Sequence, residues 1–242
     1  MCVFLTLRLN KAQVKKQYDT RGIDDSFFGP VYVQSAFSYK AWPVITSEKT
    51  DRVSMLNWGL IPRWVKDEST AGKIRSSTIN ARIETIHEKP SFRQAAKSQR
   101  CLVLADGFFE FREVNKQKYP YFIQLKNGEP FSMAGLYDNW TNRNSGEILS
   151  TFSILTTEAN PLMEKIHSRK KRMPVIIPAG QEKDWIGFNI HQDSLSQAYP
   201  QENLEAWTVS RLITSRDQSP NVPQVISPFP YPELQMLDEL NI

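Results

Sequence analysis

The apolar residues of this 242-residue chain fall into short runs separated by proline, glycine and polar segments. None of these runs approaches the roughly 20 residues that cross a bilayer as a helix. Between residues 31 and 64 the runs are interrupted by Pro43, Gly59 and Pro62, a pattern typical of strands and turns. Helical and strand-like segments do not alternate regularly, which argues against a doubly wound parallel sheet. We therefore predict one α+β domain around a twisted, barrel-like mixed or antiparallel sheet with flanking helices.

Local patterns predict the individual elements. The predicted helices cover residues 10–19, 89–98, 159–168 and 181–187. The predicted strands in the second half cover residues 101–111, 121–125, 131–136, 152–156, 173–177 and 206–209. Asn127-Gly128 favours a hairpin between two of these strands, and the polar residues 66–78 are predicted to form a loop. Because the chain is rich in proline and polar residues from Ser215 onward, we expect a domain over 1–215 and an extended tail over 216–242.

Composition narrows the class of protein. The hydrophobic content of 40% excludes collagen-like, disordered and coiled-coil chains. A net charge of +4 is compatible with a nucleic-acid partner, although many enzymes share it. The two cysteines, Cys2 and Cys101, cannot form a structural zinc site, and a disulfide framework is not expected. The N-terminus lacks a basic leader before a long apolar stretch, so we expect a cytoplasmic protein without membrane association.

Cys2 is the most distinctive candidate for chemistry. Methionine aminopeptidases remove Met1 when the second residue is small, and the mature chain would then begin with a cysteine. An α-amine titrates at about 8 and a free thiol at about 8.5, so both are nucleophilic near neutral pH. Together they react with an aldehyde: the amine forms a Schiff base, and the thiol closes it to a thiazolidine ring. The alternative is a buried cysteine that acts as a small hydrophobe.

Four further side chains fit such chemistry. Asn80 can orient a nucleophile, and Arg82 can hold a phosphate, unless the two lie in an exposed surface turn. Glu110 lies between phenylalanines, where burial would suit it to acid–base work, unless it lies on the wet face of a strand. His167 ends a predicted helix before a basic run and could shuttle protons, although such histidines are often simple surface residues.

Aromatic and basic residues provide candidate DNA contacts. Trp58 and Trp64 flank a short apolar segment and could stack on bases, although core packing is the commoner fate of tryptophan. The basic run 169–172 could line a phosphate groove or form a solvated patch. We therefore predict DNA contacts at Arg82, Trp58, Trp64 and Arg172.

These segments, taken in order, resemble the SOS response-associated peptidase (SRAP) family. The resemblance extends over residues 2–177, and the ordered set is far more specific than any single segment. The matching segments are Cys2, 58–62 (WGLIP), 80–82 (NAR), 84–85 (ET), 89–93 (KPSFR), 100–103 (RCLV), 105–110 (ADGFFE), 134–137 (AGLY), 156–160 (TTEAN), His167 and 172–176 (RMPVI).

The resemblance implies the single-domain SRAP fold, with a positively charged groove. It implies a protein of the DNA-damage response that senses abasic sites in single-stranded DNA and forms a covalent thiazolidine crosslink. Removal of Met1 by the protein itself and abasic-site lyase activity are further implications. The implied roles are Cys2 as nucleophile, Asn80 as its positioning residue, Glu110 as acid–base, His167 in opening of the deoxyribose ring and Arg82 on phosphate. No metal or cofactor is implied, and we expect a monomer.

The chain departs from the family pattern in three places. Val3-Phe4 follows the cysteine where the family usually has Gly-Arg. About three additional residues separate His167 from the Arg-Met-Pro segment, and residues 33–38 replace a more usual Asn-x-Ala-Pro-Thr-like stretch. Two other functions stay open on the residues alone. One is an amidase that uses Cys2 as an N-terminal nucleophile, and the other is a non-enzymatic single-strand-binding module that uses Trp58, Trp64 and basic residues.

Overall fold

A computed structural model describes residues 2–27, 29–167, 169–215 and 217–234. The strands are β1 (Phe4–Leu7), β2 (Gly22–Ile23), β3 (Val31–Ser35), β4 (Ala41–Thr46), β5 (Lys49–Trp58), β6 (Asn80–Arg82), β7 (Arg100–Ala105), β8 (Gly107–Val114), β9 (Gln117–Leu125), β10 (Phe131–Thr141), β11 (Ile148–Glu158), β12 (Arg172–Pro174) and β13 (Leu204–Thr208). The α-helices are α1 (Lys11–Gln17), α2 (Glu68–Ser77), α3 (Ala95–Ser98), α4 (Pro161–Ile166) and α5 (Glu182–Ile186).

Five strands close into a barrel. Antiparallel pairing runs through β11, β10, β7, β4 and β5 in that order. The ring closes because β11 also pairs with β5 in parallel, with Thr151 opposite Asn57 and Phe152 opposite Trp58. Strands β12, β6 and β2 extend this sheet at its margins. The prediction of an α+β fold around a barrel-like mixed sheet is therefore confirmed.

A second sheet carries the N-terminal strand. Its order is β13-β9-β8-β1-β3, so β1 lies between β8 and β3. The register places Phe4 opposite Phe109 and Thr6 opposite Gly107. Because side chains alternate along β8, Phe109 and Phe111 share one face of this sheet and Glu110 projects from the other. The start of β1 is thereby fixed beside Glu110.

The chain passes from the barrel to the second sheet at Asp106. The apolar run 101–111, predicted as a single strand, is divided there into β7 of the barrel and β8 of the second sheet. The Asp106 carboxylate accepts hydrogen bonds from the Thr6 hydroxyl and, at 2.8 Å, from the Arg8 backbone N–H. These contacts tie β1 to the β7–β8 junction.

Three other local predictions need correction. Residues 66–78 contain helix α2, because Asp67 caps its N-terminus by accepting a hydrogen bond from Thr70 N–H at 2.8 Å. The predicted helix 89–98 is α-helical only at Ala95–Ser98. No hairpin joins β9 to β10 at Asn127-Gly128, because these strands belong to different sheets.

Two apolar cores support the sheets. The larger fills the barrel, and the smaller lies against the second sheet around Phe109, Phe122 and Val225. The C-terminal segment contributes to the smaller core, and the Tyr231 hydroxyl donates to the Val209 carbonyl at 2.9 Å. The tail boundary predicted at residue 215 stays a prediction, and residues 235–242 lie outside the described ranges. Among the described helices, none has the length and apolar character to span a membrane.

Candidate active site

Cys2 is held at the start of the second sheet by Asn80. The Asn80 side-chain N–H donates to the Cys2 carbonyl at 2.8 Å. Asn80 itself is fixed because β6 pairs with β11, with Asn80 opposite Ile154. The Asn80 Oδ1 atom is buried and accepts no hydrogen bond within the described part of the chain. The nitrogen of this amide therefore holds the Cys2 backbone.

Glu110 and His167 lie next to each other, and the Glu110 carboxylate is near the Cys2 thiol. The His167 Nδ1 atom is 3.9 Å from the Glu110 Oε1 atom. Nδ1 also donates a hydrogen bond to the Arg172 carbonyl at 2.9 Å, and because a carbonyl only accepts, Nδ1 carries a proton. His167 is placed here because it caps the C-terminus of α4, where its backbone N–H bonds to the Met163 carbonyl. Both side chains are buried.

Burial changes the acid–base chemistry of the cysteine. Desolvation raises the pKa of the Cys2 thiol well above its ordinary value, and the nearby Glu110 carboxylate raises it further. The thiol in this structure is therefore protonated at neutral pH. The ordinary value of a free cysteine assumes exposure to water and therefore does not describe this buried thiol. A group that accepts the thiol proton becomes necessary for any nucleophilic step.

A pocket of about 420 Å³ opens against Glu110 and His167. It is lined by Val3, Phe4, Glu110, Phe111, Glu113, Lys118, His167, Arg169, Lys170 and Thr214. The lining joins an acid–base pair, two aromatic rings and three cationic side chains. Lys118 was missed in the sequence, although Asn115 was a signal for the β8–β9 hairpin that brings it opposite Glu113. Asn115 and Lys116 both adopt positive φ, as the tight turn of such a hairpin requires.

The predicted DNA contacts divide into two groups. Arg82 is exposed, and Trp64 is 45% exposed with its indole N–H bonded to the Pro90 carbonyl. Trp58 is fully buried, so the predicted base-stacking role is wrong for it. Its indole N–H donates to the Ile79 carbonyl at 3.0 Å, and its ring stacks on Phe152 inside the core.

The predicted phosphate contact at Arg172 is also wrong. The Arg172 guanidinium is buried and makes a bidentate pair with the Glu84 carboxylate, with both distances 2.9 Å. It also donates to the Thr156 carbonyl, so both of its terminal nitrogens donate inside the protein. Its role in this structure is to tie β12 to the segment that follows β6. Among the described residues, no group of three or more His, Cys, Asp or Glu side chains could hold a metal ion.

Comparisons with known proteins agree with this architecture. The family model described as SOS response associated peptidase (SRAP) matches residues 1–216. Abasic site processing protein YoqW of Bacillus subtilis is 43% identical over 185 residues, which are 74% of this chain and 79% of the relative. Abasic site processing protein YoaM of the same organism is 38% identical over 224 residues, 89% of this chain and 93% of the relative.

A solved structure gives the same result for the fold. The crystal structure of a protein from Bacteroides thetaiotaomicron superimposes with a TM-score of 0.88 at 35% identity, over 94% of this chain and all of the other. The sequence matches and the fold match agree, and this chain belongs to the SOS response-associated peptidase family.

Proposed function

We propose that this protein processes abasic sites in DNA by capturing their open-chain aldehyde on a mature N-terminal cysteine. The observation that carries the proposal is the placement of Cys2, held by Asn80, beside the pair formed by Glu110 and His167. Relatives that are 43% and 38% identical are named abasic site processing proteins, which supports the same substrate. Met1 lies outside the described residues, so its removal is part of the proposal.

The capture reaction follows from these groups. The α-amine of Cys2 attacks the aldehyde carbon, and the resulting carbinolamine loses water when an acid protonates its hydroxyl. The thiol sulfur then adds to the imine carbon, and the thiol proton is transferred to the imine nitrogen to complete a thiazolidine. Glu110 is the group proposed to move both protons, because the raised pKa of Cys2 keeps the thiol protonated until a base is present. The step needs no oxidant, metal or cofactor.

His167 is assigned to the sugar. An abasic deoxyribose is mostly a closed ring, and opening it requires a proton at the ring oxygen. Nδ1 of His167 is used by the Arg172 carbonyl, and we therefore assign the proton exchange with the substrate to the second ring nitrogen, Nε2. Lyase activity follows from the same Schiff base when the DNA strand is eliminated before ring closure. Glu110 is also proposed to assist removal of Met1, as the peptidase activity of the family would require.

The charge around the pocket favours DNA as the ligand. Lys118, Arg169 and Lys170 line the pocket, and Arg82 is exposed on β6. Basic side chains of this kind bind phosphates and make affinity depend on salt. We propose single-stranded DNA, because the sugar must leave the helical stack to enter a pocket that contains Glu110 and His167. We propose a monomer as the functional unit.

A denaturing gel tests the proposal directly. The trimmed protein is incubated with a single-stranded oligonucleotide that carries one abasic site, with the intact oligonucleotide, and with one that carries a reduced abasic site. We expect a slow band that survives denaturation only with the aldehyde-bearing strand. An amidase would give no DNA adduct, and a simple binding module would bind all three strands without a surviving band. Either result would exclude the proposed reaction.

A further inference from the structure

Two aromatic rings form one wall of the pocket. The ring centroids of Phe4 and Phe111 are 6.0 Å apart with an interplanar angle of 58°. The β1–β8 register explains the pair, because Phe4 lies opposite Phe109 and Phe111 is therefore its diagonal neighbour on the same face. Both rings are only partly buried, and both line the pocket. Apolar surface is thus left open next to Glu110 and His167.

Cationic side chains surround this wall. Lys118 lies opposite Glu113 in the β8–β9 pair, and Arg169 contacts the Glu113 carboxylate at 3.1 Å. The side chain of Arg169 is nevertheless 74% exposed, and Lys118 and Lys170 are exposed as well. Three positive charges therefore face solvent around two aromatic rings, and they outnumber the two acidic side chains of the lining, Glu110 and Glu113. An aromatic surface next to exposed cations matches a base joined to a phosphate.

The lesion itself cannot use the aromatic wall, because an abasic nucleotide has no base to stack. The nucleotide next to it in the strand does carry a base and a phosphate. We propose that Phe4 and Phe111 form a stacking surface for the base adjacent to the abasic site, and that Lys118, Arg169 and Lys170 bind its phosphate. This inference rests on the proposed function and adds a second determinant of substrate recognition to it.

Two departures from the family pattern meet in this pocket. Phe4 stands where the resemblance implies an arginine, and Arg169 and Lys170 belong to the additional residues after His167. An aromatic ring stands on β1 in place of a positive charge, and positive charges are present among the additional residues that line the same pocket. The stacking surface is therefore expected to be a property of this chain and of relatives that share both changes.

Crosslinking rates on matched oligonucleotides test the inference. Each of three single strands carries one abasic aldehyde. In the first strand both neighbouring nucleotides keep their bases. In the other two, a tetrahydrofuran spacer, which has no base and no aldehyde, replaces the nucleotide on the 5′ side or on the 3′ side. Rates are measured below saturation for the wild type, Phe4→Leu, Phe4→Tyr and Phe229→Leu. Phe229 is a matched control, because its ring is also exposed but lies outside this pocket.

We expect removal of the base on one side to slow the wild type by about tenfold, the size of one stacking contact. Phe4→Leu should be slow on the complete strand and insensitive to that spacer, whereas Phe4→Tyr and Phe229→Leu should keep the wild-type sensitivity. If the wild type reacts equally fast with every strand, the stacking surface is excluded and another occupant, such as a peptide, is indicated.

A variant that only disturbs Cys2 would behave differently. Its crosslinking rate would fall by the same factor on all strands, and it would still react more slowly with the spacer strand. If Phe4→Leu shows this behaviour, the inference is also overturned. Absence of an adduct with any strand would instead refute the proposed function, so the two failures are distinguishable.

Discussion

The two cysteines of this protein are almost equally buried and differ in the polar groups around them. Cys2 is 1% exposed and Cys101 is 0% exposed, and burial raises the pKa of both thiols. Cys101 lies in the middle of the barrel, on β7 between Gly135 of β10 and Thr46 of β4. Its carbonyl accepts a hydrogen bond from the Trp185 indole, and its thiol packs among apolar residues.

The surroundings of Cys2 contain groups that can move protons. Glu110 is close enough to affect the pKa of the Cys2 thiol, and Asn80 holds the Cys2 carbonyl. Burial and a raised pKa therefore do not identify the reactive cysteine in this protein. What separates the two thiols is a neighbouring carboxylate together with a position that can become the N-terminus.

The largest difference between the two cysteines is expected in the formation of the DNA adduct. Cys2→Ala should lose the denaturation-stable adduct entirely, because the remaining amine forms only a reversible Schiff base. Cys101→Ala should retain the adduct, since its thiol faces the apolar core. Denaturing gels with abasic single strands measure both variants, and intact mass confirms that Met1 is absent. A stable adduct from Cys2→Ala, or from protein that keeps Met1, would refute the mechanism.

The role of the neighbouring carboxylate is tested by Glu110→Gln. Adduct formation should slow by about 10²–10⁴-fold, the usual range for loss of a general acid–base group. The measurement uses protein with a trimmed N-terminus, so that a defect in processing does not contribute. Glu205→Gln makes the same chemical change on β13, where Glu205 accepts a hydrogen bond from Gln124, and should react at the wild-type rate. Equal rates for wild type and Glu110→Gln would remove the distinction drawn between the two cysteines.

His167 should affect a different step. His167→Ala is expected to slow strand cleavage by about 10²-fold while the final adduct yield changes little, because ring closure is favourable once the aldehyde is present. Time courses of cleaved strand and adduct separate the two effects. His87→Ala and His191→Ala are controls, because their rings contact Gln192 and Asp193 and neither lines the pocket. If His87→Ala were inactive and His167→Ala unaffected, the assignment of the histidine would be wrong.

The smallest expected effect concerns two arginines of which one, Arg82, is exposed and the other, Arg172, is buried. Arg82→Ala should reduce the slope of log affinity against log salt by about 0.7, the contribution of one phosphate contact on single-stranded DNA. Arg172→Ala should instead lower the midpoint of thermal unfolding, because it removes the buried partner of Glu84. Titrations at several salt concentrations and thermal melts distinguish the two. A lower salt slope for Arg172→Ala would show that its pairing opens on DNA.

Local pattern was sufficient for much of the fold. The strands around Tyr121, Phe131 and Phe152 and the helix that ends before His167 were predictable, because each shows a clear period or a clear cap. Helix α2 was missed because its sequence is mostly polar, and only the Asp67 cap marks its start. The division of the run 101–111 at Asp106 was invisible, because the reason for it is a hydrogen bond to Thr6, about a hundred residues away.

The sequence allowed some residues of the site to be named, but it did not show which side chains are paired inside the protein. Asn80, Glu110 and His167 could be named from their order along the chain, because the resemblance to the family rests on short ordered segments. Trp58 and Arg172 could not be assigned correctly in the same way. Their side chains are compatible with both core packing and DNA contact, and only the positions of Ile79 and Glu84 show that their polar groups are already paired.

By itself, the sequence determined the class of fold, the family and the presence of a cysteine that can become N-terminal, because these depend on residue order and local periodicity. The tertiary structure alone decided which thiol has a carboxylate nearby, which of the two arginines is exposed and which rings line the pocket. Those properties depend on burial and on contacts between residues far apart in the chain. The pairing of β1 with β8 brings Cys2 and Phe4 beside residues more than a hundred positions away, and no local pattern carries that register.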